Sequence, residues 1–149
     1  MRFLVLLPGF LGFAAVLQGG LNRQISGQWG LSTAALFNAL VLCCAAGFLF
    51  WMTRSQPEML PEFFRSRGGW STFRWWFILP GLFGMALVVG IPWAISRVGA
   101  FPVFMGILAG QLITSLAWDA VMEQKPLTLI RLAGATLAFL GAYLVSRQN

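Results

Sequence analysis

The side chains able to do chemistry in this 149-residue chain are few, and most of the interesting ones are amides. Histidine is absent, which excludes Ser–His and Cys–His catalysis and every His-ligated metal site. The carboxylates are Glu58, Glu62, Asp119 and Glu123, with no nucleophile–base pair, phosphate-cradling glycine loop or metal-ligand spacing around them. The expectation is no enzyme, no cofactor and no metal. Cys43 and Cys44 adjoin in an apolar run and read as small packing residues.

What remains are polar groups inside long apolar runs, where a polar side chain is costly and marks a functional candidate. Gln18 and Asn22 stand four apart, on one face of a helix. Asn38 is alone in the second apolar run, with Ala34 and Ala45 on its face. Gln111, Ser115 and Asp119 recur at four-residue steps, with Thr114 and Trp118 beside them. Pro92 with Trp93 reads as an irregular, cavity-lining helix end. Amides both donate and accept, so Gln18, Asn22, Asn38 and Gln111, with Thr114, Ser115 and Trp93, are the expected lining of a substrate path. Interhelical hydrogen bonding is the alternative role for the amides. Asp119 is the carboxylate inside an apolar run and the candidate for proton coupling; a plain interfacial residue beside Glu123 and Lys125 is its alternative. Gly106 and Gly110, and Gly134, Ala138 and Gly141, form small-residue stripes suited to close helix packing or dimerisation, as do Gly81 and Gly84.

The elements that carry these groups follow from composition. Hydrophobic residues make up 58% and charged residues 9%, against about 25% charged in a soluble domain. The net charge of +6 is spread between apolar runs rather than gathered on one face, which argues against nucleic acid. About 20 apolar residues span a bilayer core as a helix. Five such runs are present: 3–21, 31–52, 75–95, 101–121 and 127–145. Ser32 and Thr33 are the expected N-caps of the second, and Pro126 suits the first turn of the fifth. A polar loop, 53–74, joins the second and third, where Phe63, Phe64 and Trp70 suit the headgroup level. Trp75 and Trp76 look like an aromatic belt. The expected fold is all-α, a polytopic membrane protein with five transmembrane helices in a single domain over residues 1–149. The first run outlasts a signal-peptide core and lacks Ala-x-Ala before Gln18, so it reads as a retained span.

Orientation follows the positive charges. The side shared by the N-terminus and the 53–74 and 122–126 loops holds Arg2, Arg54, Arg65, Arg67, Arg74 and Lys125, with Arg131 snorkelling toward it. The other side holds Arg23, Arg97 and Arg147. This bias expects a cytoplasmic N-terminus and an external C-terminus, with dual insertion open.

Four blocks in order carry a resemblance. They are Leu17-Gln18-Gly19-Gly20-Leu21-Asn22; Arg97-Val98-Gly99-Ala100; Ala109-Gly110-Gln111-Leu112-Ile113 running on to Ser115-Leu116-Ala117-Trp118-Asp119; and Arg131-Leu132-Ala133-Gly134-Ala135 with Gly141 and Leu144-Val145. The chain resembles the YdcZ-like inner-membrane proteins, a five-helix branch of the drug/metabolite transporter superfamily, over almost its whole length. Two positions depart from the family pattern: Ser96 stands where a Pro is usual, and Leu40 near where a Gly is usual. The resemblance implies transport of a small molecule, most simply export, in the bacterial inner membrane. It also implies a half-transporter that pairs with an oppositely oriented copy or paralogue, giving two inverted five-helix repeats. Related small multidrug exporters carry a coupling carboxylate in their first helix; this chain has none there, so their proton exchange is not carried over. The competing reading is a non-transporting membrane scaffold or regulatory subunit. A transporter needs Gln18, Asn22, Asn38 and Gln111 on converging faces, and a scaffold does not.

Overall fold

The computed structural model describes residues 2–64, 73–126 and 128–146, with side chains between 6 and 144 of those ranges. Arg65, Arg67, Trp70, Leu127, Arg147 and the Arg2 side chain lie outside the described residues. The described residues form five α-helices: α1 (Arg2–Trp29), α2 (Leu31–Ser55), α3 (Leu79–Val98), α4 (Ala100–Val121) and α5 (Leu129–Ser146). Two 3₁₀ turns, Glu62–Phe64 and Trp75–Ile78, flank the polar loop. The all-α class is as expected.

Among the described residues three helical segments are long and apolar enough to cross a membrane: Leu31–Ser55, Trp75–Val98 and Ala100–Val121. Leu129–Leu144 is a shorter apolar helix. In the three long segments only 11%, 6% and 11% of the most apolar stretch is buried within the protein. Large side chains such as Phe10, Leu42, Phe48, Leu82, Phe101 and Val121 are all exposed. In water such a surface would drive association, whereas lipid tails solvate it.

Several boundaries differ from the sequence reading. The first helix does not end with the apolar run at residue 21 but continues through the polar Asn22 and Arg23 to Trp29. Both polar residues are compatible with helix, and the first true break is Gly30, with φ 83° and ψ 154°. That backbone region belongs essentially to glycine. The turn therefore falls before Leu31, and Ser32 and Thr33 lie inside the first turn of α2 rather than capping it; Gly30 is the N-cap and makes no side-chain bond. The same device recurs at Gly99, with φ 84° and ψ 165°, between α3 and α4. Ser96, Arg97 and Val98, read as a break, are the last residues of α3. Pro92 does not end α3 either; it sits inside it, fully buried. Proline is tolerated inside such helices when neighbours and local adjustment satisfy the freed carbonyl.

Pro126 lies in the connection before α5 rather than in its first turn. The chain before it is used to finish α4. Gln124 takes a left-handed φ of 52°, and the Lys125 amide donates back to the Asp119 carbonyl at 2.9 Å. The bond spans six residues, one more than a Schellman closure, and glutamine holds the left-handed position that glycine usually takes.

The chain divides into two compact units: residues 1–20 with 93–149, and residues 21–92. The divisions fall inside α1 and α3. In the first unit α4 and α5 pack together. Asp119 meets Arg131, and Met105 lies beside Gly141, so the two helices run antiparallel. In the second unit the end of α1 meets the start of α2. Trp29 and Phe37 stack edge-on at 5.5 Å, and Asn22 bonds Asn38. Ala34, Ala35 and Asn22 are buried there, and Thr53 near the end of α2 and Pro92 in α3 are buried too.

Candidate functional site

The second unit holds one of the expected polar groups complete. Asn22 is 7% exposed, and its Oδ1 accepts a hydrogen bond from Asn38 Nδ2 at 3.3 Å. The geometry follows from a hairpin closed at one glycine. With the turn at Gly30, residues equidistant from it, 22 and 38, come opposite each other. Ala34, one turn before Asn38, is buried, and a small side chain there leaves room for close approach. Two amides in partial burial satisfy part of each other and keep further donors and acceptors free for another polar molecule.

The other path residues stand differently. Gln18 lies one turn before Asn22 in α1 and is exposed; Gln111 is exposed on α4. Neither makes a side-chain hydrogen bond among the described residues. Thr114 and Ser115 are exposed, and the Ser115 hydroxyl donates to the Leu112 carbonyl of its own helix at 2.9 Å. Trp93 is exposed, with the Arg97 guanidinium 5.9 Å from its ring centroid. That contact is a cation–π pair one turn apart on α3.

Asp119 is not isolated. Its carboxylate accepts from Arg131 Nη1 at 3.2 Å and lies 3.8 Å from Lys125 Nζ. Lys125 is also 3.7 Å from Glu123. These charges straddle the α4–α5 connection and are a third to a half exposed. Each such pair is worth about 0–1 kcal/mol in water.

The glycine stripes also divide. A Cβ on Gly141 would stand 3.5 Å from Met105 Cε, an ordinary contact between α5 and α4. Gly106, Gly110 and Gly134 have nothing within 4 Å of that position, and Ala138 is half-buried. No group of three or more metal-ligating side chains occurs among the described residues. Cys43 and Cys44 are free and exposed rather than packed.

The sequence reading passed over one residue. Arg23, which counts in the sequence only as an orientation charge, lies inside α1, partly buried, next to Asn22. The available signal was that no proline follows it before Gly30, and the one glycine between them, Gly27, is tolerated inside a helix.

A family model described as "Putative inner membrane exporter, YdcZ" matches residues 3–144. Comparison with curated proteins and with solved structures gives no match. A match over nearly the whole chain joins an all-helical fold with apolar, outward-facing helices and polar amides set among them, and on that combined ground this multi-pass inner membrane protein belongs to the YdcZ exporter family, not to a family of enzymes.

Proposed function

We propose that the protein exports a small neutral or zwitterionic molecule by alternating access, as one half of a ten-helix assembly. The observation that carries this reading is the Asn22–Asn38 amide pair, one member of it buried, between two otherwise apolar helices. Uncharged amides can replace part of a polar solute's hydration shell without demanding a cation or an anion of their own. In the second unit that pair is the proposed polar part of the path. In the first unit it is the exposed stripe of Gln111, Thr114 and Ser115, together with Gln18 and Trp93. Five helices with polar residues facing outward make an incomplete conduit. The proposed partner is a second copy or a paralogue inserted the other way round, so that two inverted repeats enclose the site near the membrane midplane. Gly106, Gly110 and Gly134, with open space beyond their Cα atoms, are the proposed points of close helix approach.

Proton coupling, if carried by this chain, is assigned to Asp119. Protonating it would remove the charge that holds Arg131 and Lys125 across the α4–α5 connection, so coupling there would act by loosening that hairpin.

The test is transport in proteoliposomes against a panel of neutral, zwitterionic and cationic solutes, with wild type, Gln111→Leu and Asn38→Leu. The reading expects both variants to insert normally and to lose transport per folded molecule. Transport per folded molecule equal to wild type in both would reduce the amides to helix–helix glue and overturn the path.

A further inference from the structure

We propose that Arg23 is an oxyanion-binding residue, and that the α1–α2 hairpin holds a carboxylate or phosphate group on its guanidinium. Arg23 is the partly buried arginine of the second unit, inside α1 and beside the buried Asn22. It has no ion pair among the described residues. The other cations with described contacts are provided for. Arg131 and Lys125 pair with Asp119, Arg54 lies 5.9 Å from the Phe50 ring, and Arg97 the same distance from Trp93. Arg74 also lacks an ion pair, but it is exposed to whatever surrounds the protein.

The guanidinium is also positioned. A Cβ on Gly27, one turn further along α1, would stand 3.3 Å from Arg23 Nη1. The side chain therefore lies along its own helix over Gly27, where a Cβ would require its Nη1 to move by a few tenths of an ångström. The neighbouring Ser26 hydroxyl donates to the Arg23 carbonyl at 2.9 Å, and no hydrogen bond from the guanidinium is present among the described residues. A guanidinium presents five donors in a planar fork that matches carboxylate and phosphate oxygens two at a time. Partial burial without a counter-charge is costly, so a ligand that supplies the charge is favoured. Carboxylate and phosphate share this chemistry, whether the group belongs to a dissolved solute or to a lipid headgroup.

The test uses the full chain purified in a neutral detergent and reads its unfolding temperature. Acetate and inorganic phosphate are titrated against chloride at matched ionic strength. In a second arm phosphatidylglycerol is compared with phosphatidylcholine in mixed micelles. The proposal expects a rise in unfolding temperature with an oxyanion in at least one arm, an apparent affinity weakened tenfold or more in Arg23→Gln, and partial retention in Arg23→Lys. A response confined to acetate or phosphate assigns a soluble ligand; one confined to phosphatidylglycerol assigns a headgroup. Arg23→Lys keeps the charge and removes the planar fork, so it carries the test should Arg23→Gln not fold, and its affinity should be measurably weaker than wild type. No oxyanion-dependent shift in wild type, or the same shift in Arg23→Gln or, failing that variant, an undiminished affinity in Arg23→Lys, overturns the proposal. Because binding is read without any transport, its failure is separate from failure of the exporter reading.

Discussion

Asn22 and Asn38 share one hydrogen bond, and removing one partner is not the same as removing both. Asn38→Leu would leave the buried Asn22 amide without its donor. Buried polar groups without partners cost about 1–3 kcal/mol, while measured interhelical bonds in membrane proteins average about 0.6 kcal/mol. Asn38→Leu should therefore lower stability by about 1 kcal/mol, and the double variant with Asn22→Leu should lose less than the sum of the two singles. A double-mutant cycle from unfolding in detergent checks this; strictly additive losses would mean that the bond contributes nothing. Gln111→Leu is the contrast. Gln111 has no side-chain bond within the described chain, so its loss should leave unfolding unchanged and act on transport alone. At Asp119 the measurement is the pH profile of transport. The coupling role expects Asp119→Asn to flatten it, and a profile kept intact in that variant would remove Asp119 from proton coupling.

At the scale of helices and their connections, single residues set the geometry. Gly30 and Gly99 occupy nearly the same backbone state and each is the whole link between two helices. Conformations of that kind cost other residues about 1–3 kcal/mol. Gly30→Ala and Gly99→Ala should each destabilise the protein by an amount in that range, read as a lower unfolding temperature. Gln124 offers the converse case. It holds a left-handed φ at the end of α4 without being glycine, a state that costs an L-residue about 1–2 kcal/mol. Gln124→Gly loses one exposed bond to the Val121 carbonyl and a little chain entropy, and should still gain up to about 1 kcal/mol. The small-residue stripe of α5 separates in the same way. Gly141→Leu must intrude on Met105, and overpacking of that kind costs about 1–3 kcal/mol. A Cβ at Gly134 has nothing within 4 Å among the described residues, so Gly134→Leu should fold normally and weaken cross-linking between copies. Equal cross-linking in Gly134→Leu and wild type would rule this stripe out as a contact between copies.

For the whole molecule the decisive quantities are apolar surface and charge bias. A chain with 58% hydrophobic residues and so little of its helical surface buried depends on lipid for its solvation. Its ten basic residues favour one side of the membrane without excluding the other. A C-terminal reporter fusion should read external, and a mixed signal would indicate insertion in both orientations. A uniform cytoplasmic signal would overturn the charge argument.

Much of this was determined by sequence alone, for a physical reason. Lipid satisfies no backbone hydrogen bond, so an apolar run of about 20 residues has little choice but helix. The four later helices accordingly fall within a few residues of the runs that announce them. Composition likewise argued against enzyme chemistry, and ordered blocks such as Gln18 to Asn22 and Gln111 to Asp119 pointed to the family that matches residues 3–144. Helix ends and polar partners were decided elsewhere. Hydrophobicity stops at Leu21, but the α1 backbone continues to Trp29, because a helix ends where the backbone must turn and not where the side chains become polar. That difference placed Arg23 inside a helix over Gly27 and brought Asn38 across from Asn22. Spacing along one helix shows which residues share a face; only the turn at Gly30 sets which residue of the next helix lies opposite. Asp119 teaches the same point. Its four-residue step from Ser115 was legible, but its pairing with Arg131 depends on how α5 folds back on α4.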